Sequence, residues 1–131
     1  MTFVDSGAWY ALFVPDDPNH TAAINWFAAN PGRLLTTDYV VDETLTLLRA
    51  RGHKRKALDF GRSAFGGNLA VVRYLDRAEI AAAWAVFERF ADKDWSFTDC
   101  TSKVVIEALG VSQAFSFDRH FRQFCTVAVV P

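Results

Sequence analysis

Asp5, Glu43, Asp94, Asp99 and Asp118 are the side chains of this sequence best placed to do chemistry, because of where the surrounding pattern puts them. Asp5 ends the short β-prone run Thr2–Val4, and Asp118 follows the run Ala114–Phe117. In open α/β sheets ligands bind beyond the carboxyl ends of the strands, so polar residues there are the first candidates for function. Glu43 belongs to a helix whose apolar arc is Val40, Val41, Thr44, Leu47 and Leu48. At about 100° per residue it falls at the edge of that arc, roughly 40° from Leu47, and can reach inward to the top of the sheet. Asp99 opens a further helix at Thr98–Leu109, and Asp94 lies in the polar stretch before it.

Carboxylates brought close together repel, raise one another's pKa, and are tolerated when protonated or bridged by a cation. If Asp5, Glu43, Asp99 and Asp118 converge at one rim, an all-oxygen cluster without His or Cys points to Mg²⁺, with Mn²⁺ as the alternative. Each acid also has a plainer role open to it. Asp5 could cap the first helix, Asp118 could begin a turn, and Asp94 could be a solvated loop acid. Ser96 with Asp99 fits the S-x-x-D capping signature.

The elements that must position these acids alternate. Strands are expected at Thr2–Val4, Arg33–Thr37, Leu69–Leu75, Ala114–Phe117 and Thr126–Val130. Helices are expected at Ala8–Phe13, from about Thr21 to Ala29, from a cap at Asp38 to Arg51, and at Lys54–Phe65, Ala78–Phe90 and Thr98–Leu109. Gly52 and Gly110 mark two helix ends. In the Ala78–Phe90 helix, Ala81, Trp84, Ala85 and Phe87-Glu88 supply a broad amphipathic face. Strands separated by helices imply βαβ units and a mostly parallel sheet with helices on both faces.

Length and composition bound the rest. At 131 residues, 51% hydrophobic and 15% aromatic, the chain suits one domain spanning residues 1–131, with no repeat or linker inside it. Fourteen Lys and Arg against 15 Asp and Glu exclude a polycation that coats nucleic acid indiscriminately, so RNA contact would use local patches. No basic segment precedes an apolar stretch at the start, and no apolar run nears the roughly 18 residues needed to cross a bilayer. Cys100 and Cys125 lack metal-ligand spacing and read as reduced packing residues. A cytoplasmic protein without a membrane partner follows.

Four segments together resemble the PIN-domain family, and within it the VapC-type toxins, across essentially the whole chain. They are Phe3-Val4-Asp5-Ser6, Thr37-Asp38-Tyr39-Val40-Val41-Asp42-Glu43-Thr44, Ser96-Phe97-Thr98-Asp99-Cys100 and Phe115-Ser116-Phe117-Asp118-Arg119-His120-Phe121. The resemblance implies a three-layer α/β/α sandwich with Asp5, Glu43, Asp99 and Asp118 as the acidic pocket. It implies Asp5, Asp99 and Asp118 as metal ligands, Asp94 as a further one, and Glu43 as ligand or base. Ser6 and Thr98 match polar positions that orient metal-bound water. The activity implied is Mg²⁺-dependent endoribonuclease cleavage that leaves a 5′-phosphate and a 3′-hydroxyl. The partners implied are RNA, a cognate small antitoxin and a second copy of the chain in a homodimer.

Other readings stay open at this level. A PIN nuclease of RNA maturation or decay would use the same chemistry without an antitoxin, and a module could bind RNA or a partner without cutting. A phospho-acceptor receiver domain also gathers acids at strand ends, but needs adjacent acids after its first strand, where this chain has Asp5-Ser6-Gly7. The basic run Arg49 to Lys56 is either an RNA backbone contact or a solvated helix junction. Arg119 and Arg122 could meet a phosphate or stand on the surface. His120 reads as a satisfied or exposed histidine rather than a catalyst. Most of Trp9, Tyr10, Phe13, Trp26 and Phe27 are expected in the core, but they offer more aromatic surface than two short helices usually bury, so some could form a subunit or antitoxin interface.

Overall fold

Strands β1 (Thr2–Val4), β2 (Leu34–Thr37), β3 (Val71–Arg73), β4 (Gln113–Phe115) and β5 (Ala128–Val130) form one sheet in the order β3-β2-β1-β4-β5. Every neighbouring pair is parallel, in a computed structural model that describes residues 1–131. The order turns back at β1, and right-handed crossovers on its two sides lay helices on both faces of the sheet. This is the expected α/β sandwich. It also fixes a topological switch point between β1 and β4, where the chain leaves in opposite directions and a crevice opens above the carboxyl ends.

Helices α1 (Ser6–Phe13), α2 (His20–Ala29), α3 (Asp38–Ala50), α4 (Lys54–Phe65), α5 (Arg77–Arg89) and α6 (Phe97–Ala108) flank the sheet. Gly52 at φ 81° and Gly110 at φ 62° take the left-handed backbone that ends α3 and α6. Thr37, not Asp38, caps α3, accepting from the Val40 amide at 3.1 Å. Asp38 instead accepts the Leu75 amide at 3.1 Å and ties α3 to the segment after β3.

Strands β3, β4 and β5 are shorter than the apolar runs suggest. After β4 the chain turns at Ser116 and Phe117 into a 3₁₀ turn, Arg119–Phe124, that the sequence pattern does not signal. Asp118 therefore stands beyond the strand end and caps this turn, accepting from the His120 amide at 2.9 Å.

The core holds Trp9, Phe3, Phe60, Phe115 and Phe121, all fully buried. Each such side chain contributes about 1.5–3 kcal/mol by leaving water, and truncating one to alanine costs about 3–5 kcal/mol. Trp9 is also anchored by a polar chain: its ring N–H donates to Thr36 Oγ1 at 3.2 Å, and Thr36 donates to the Val4 carbonyl at 3.1 Å. This locks α1 and β2 onto the end of β1, just below Asp5.

Most of the aromatic group on α1 and α2 lies in the core, as expected. Trp9 and Tyr10 are buried, and Phe13 and Trp26 pack against the core, so of that aromatic group Phe27 alone is largely exposed. The spare aromatic surface lies on α5. Its buried residue is Ala83, while Ala81, Trp84, Ala85 and Phe87 face outward, with Trp84 53% exposed. The α5 stripe that packs is Ile80, Ala83, Val86 and Phe90, because the broad run of small and apolar residues leaves two faces equally plausible by pattern. Cys100 is a core residue as expected, but Cys125 is exposed. No helix is long and apolar enough to cross a membrane.

Candidate active site

Asp5 continues the β1–β4 ladder by one bond, its amide donating to the Phe115 carbonyl at 3.1 Å. That fixes its backbone at the switch point and turns its carboxylate into the crevice. The residue is 3% exposed. It does not cap α1. Its side-chain partner is Ser116, whose hydroxyl donates to Asp5 Oδ2 at 3.2 Å. The Ser116 oxygen in turn accepts the Asp118 amide at 3.0 Å, so one serine sets the positions of two acids.

Glu43 reaches in from the second turn of α3. The Ser6 hydroxyl donates to its Oε1, and Thr98 supplies a second side-chain hydrogen bond. Asp99 sits in the first turn of α6 within a complete capping box: Ser96 accepts the Asp99 amide at 3.0 Å, and Asp99 Oδ2 accepts the Ser96 amide at 3.0 Å. Trp95 anchors the approach to this box, packing edge-on against Phe124 and donating its ring N–H to Gln123 at 2.7 Å. The capping role of Asp99 and its place in the acidic group are thus both realised.

Asp5, Glu43, Asp99 and Asp118 converge above the β1–β4 crevice, close enough to perturb one another's ionisation. Burial pushes the Asp5 carboxyl up to about 8, the nearby Asp99 adds to the rise, and Glu43 and Asp118 add further, against a Ser6 backbone hydrogen bond that lowers it. Glu43 and Asp99 are also raised, first by burial and then by neighbouring carboxylates, against hydrogen bonds from Ser6 and Thr98 in one case and from Ser96 and His120 in the other. No lysine or arginine forms an ion pair with any of the four. Such a group is electrostatically unfinished. A hard divalent cation is what its oxygen donors fit, since it would relieve the repulsion and satisfy the buried acceptors together.

Asp94 is exposed in the loop before α6, without an ion pair or hydrogen bond. Two other residues belong to the group. Ser116 carries little signal in the sequence because one polar residue between two phenylalanines reads as ordinary strand alternation. His120 proves central: its Nδ1 lies 3.3 Å from both Asp99 Oδ2 and Asp118 Oδ1. The expectation of a cluster without histidine is therefore corrected. The available signal is the Asp118-Arg119-His120 spacing, which a 3₁₀ turn folds back on itself.

The basic run lies away from this centre. Arg49 on α3 and Arg51 just past its end are six and eight residues beyond Glu43, about 9–12 Å further along the helix axis. Arg51 stacks over the Tyr10 ring at 4.8 Å. Closer in, rings form a row from the surface toward the acids: Trp84 stacks on Phe87 at 5.8 Å, Phe87 meets Phe97 at 6.0 Å, and Phe97 meets Tyr39 at 6.0 Å. A concavity of about 890 Å³ lies elsewhere, at the amino-terminal ends of β2 and β3 among Pro31, Arg33, Phe65 and Val71.

A parallel sheet whose switch point gathers acids from separate elements, with no lysine or arginine paired to them, has the arrangement of a hydrolase scaffold of the nuclease kind. The PIN domain model matches residues 2–127. The chain is 31% identical over 131 residues to the 23S rRNA-specific endonuclease VapC20 of Mycobacterium tuberculosis, covering 100% of this chain and 99% of the relative. It is 29% identical over 124 residues to a VapC ribonuclease of Archaeoglobus fulgidus, covering 90% and 77% of the two chains. The crystal structure of Mycobacterium tuberculosis VapC20, described as a sarcin-ricin loop cleaving toxin, superposes with a TM-score of 0.92 at 29% identity over the whole of both chains. FitAcB from Neisseria gonorrhoeae shares the fold, with a TM-score of 0.69 at 14% identity, over 100% of this chain and 97% of that one. The chain belongs to the PIN domain family, among its VapC-type toxin ribonucleases.

Proposed function

We propose that this chain is a divalent-metal-dependent endoribonuclease, the toxin of a toxin–antitoxin pair, in which Asp5, Asp99 and Asp118 hold Mg²⁺ or, in its place, Mn²⁺. The observation that carries this reading is the convergence of acids from β1, α3, α6 and the 3₁₀ turn with no lysine or arginine paired to them. When bound, the metal supplies a water of lowered pKa and offsets charge gathering on the phosphoryl oxygens.

The chain's own residues do the rest. Ser116 aims the Asp5 carboxylate and holds the backbone of Asp118. Ser96 fixes Asp99 through paired bonds, so this carboxylate has little rotational freedom to lose when it ligates. Ser6 and Thr98 orient Glu43, setting its carboxylate to take a proton from the attacking water. Asp94, exposed and unattached, has no part in this scheme.

The reading extends to partners and place. The chain works as one domain in the cytoplasm, pairs as a homodimer through the exposed Trp84–Phe87 face of α5, and is silenced by a small cognate antitoxin. Its RNA target to test first is 23S rRNA, given full-length similarity to VapC20. Purified protein should cut RNA with Mg²⁺ and stop when EDTA is added, and Asp5→Asn should lose at least about a hundredfold in rate. Equal cleavage by wild type and Asp5→Asn would refute the proposal.

A further inference from the structure

Resting on that reading, we infer that His120 is itself a metal ligand, giving the site one nitrogen donor and a preference for Mn²⁺ over Mg²⁺. Asp99, Asp118 and His120 each offer a ligand atom, and these atoms all lie within 4.8 Å of one another. His120 Nδ1 is equidistant from the two carboxylate oxygens at 3.3 Å. Adjacent ligands of an octahedral ion with bonds of about 2.1 Å are about 3 Å apart, so the nitrogen stands at nearly the ligand–ligand spacing from each of the two carboxylate oxygens.

The local chain holds the imidazole in that position. Asp118 accepts the His120 amide at 2.9 Å, which closes the 3₁₀ turn and places ring and carboxylate on the same side. Phe121, the next residue, is fully buried and packs 6.1 Å from Phe3, fixing the turn to β1. The ring nitrogen and the two carboxylate oxygens it faces are all lone-pair donors that one cation can share. Magnesium favours all-oxygen shells, whereas an imidazole donor shifts affinity toward first-row transition ions.

Electron spin echo envelope modulation on the Mn²⁺-loaded wild-type protein tests this directly, with calorimetric titration of Mn²⁺ and Mg²⁺ alongside. Directly bound histidine nitrogen should modulate the wild-type echo, and His120→Gln should abolish the modulation. His120→Gln should also weaken Mn²⁺ binding by about tenfold or more while changing Mg²⁺ binding less than about threefold. If His120→Gln folds poorly, isotope labelling of histidine nitrogen in the wild type makes the same assignment, since the modulation should change with the label. Stoichiometric Mn²⁺ binding without nitrogen modulation would overturn the ligand assignment and leave the nuclease reading intact. Failure to bind either ion at millimolar concentration would overturn both.

Discussion

Ser116 donates its hydroxyl hydrogen to Asp5 Oδ2 across 3.2 Å, linking the first turn after β4 to the carboxylate at the end of β1. The bond spans 111 positions of sequence and crosses the switch point of the sheet. Since Ser116 also receives the Asp118 amide, two acids share one support. Ser116→Ala should therefore cost more in metal binding than in folding. Loss of supporting hydrogen bonds of this kind weakens metal affinity about 10–100-fold. The melting temperature should fall by only a few degrees, reflecting about 1 kcal/mol. Mn²⁺ titration and thermal unfolding of the same variant give both numbers.

Without a bound ion, stability should decline as pH rises. The Asp5 carboxyl moves from 3.8 up to about 8 on folding, so between those values the unfolded chain has released a proton that the folded chain keeps. Stability then falls with pH through this window and levels off above it. Raised values at Glu43 and Asp99 act in the same direction. Thermal unfolding in EDTA from pH 5 to 9 should show this decline, and Asp5→Asn should flatten it. A melting temperature that rises with pH in EDTA would contradict the electrostatic picture.

The two complete capping boxes allow a controlled comparison. Asp76 and Glu79 cap α5, and Ser96 and Asp99 cap α6. Removing either N-cap side chain should cost about 1 kcal/mol. Ser96→Ala keeps the backbone amide that the Asp99 carboxylate accepts but removes the hydroxyl that receives the Asp99 amide, loosening the turn that carries a carboxylate of the acidic group. It should weaken Mn²⁺ binding severalfold, whereas Asp76→Ala should leave binding unchanged. Equal effects of the two variants on metal affinity would remove Ser96 from the site.

Much of this site is legible in the amino-acid sequence. Asp5 and Asp118 stand at or just past strand ends, Glu43 on an inward helix edge and Asp99 in the first turn of a helix, and period and punctuation locate them there. The α/β alternation is readable for the same reason. What the pattern does not carry depends on contacts between distant segments. Thr37 replaces Asp38 as a cap because Asp38 has a partner at Leu75 that local spacing cannot reveal. The outward face of α5 is ambiguous by pattern because alanines and aromatics surround the helix and give no single stripe. His120 reads as ordinary because its meaning depends on a 3₁₀ turn that brings it back over Asp99, 21 positions earlier.

That outward face of α5 yields a prediction of its own. Trp84 is 53% exposed and Phe87 39%, and the two rings stack on each other at 5.8 Å. Water-facing aromatic pairs of this size suit an interface between subunits. Sedimentation analysis should find wild type as a dimer and the double variant Trp84→Ser, Phe87→Ser as a folded monomer. A monomeric wild type, or a dimer that survives both changes, would place the interface elsewhere.

The central claim is that Asp5, Asp99 and Asp118 gather around one divalent ion. An anomalous difference map from a crystal soaked in Mn²⁺ examines it with the fewest intervening assumptions. The account predicts a peak within coordinating distance of oxygens from Asp99 and Asp118, with Asp5 bound directly or through one water. A peak bound only at other carboxylates, or none at the β1–β4 crevice despite millimolar Mn²⁺, would contradict it.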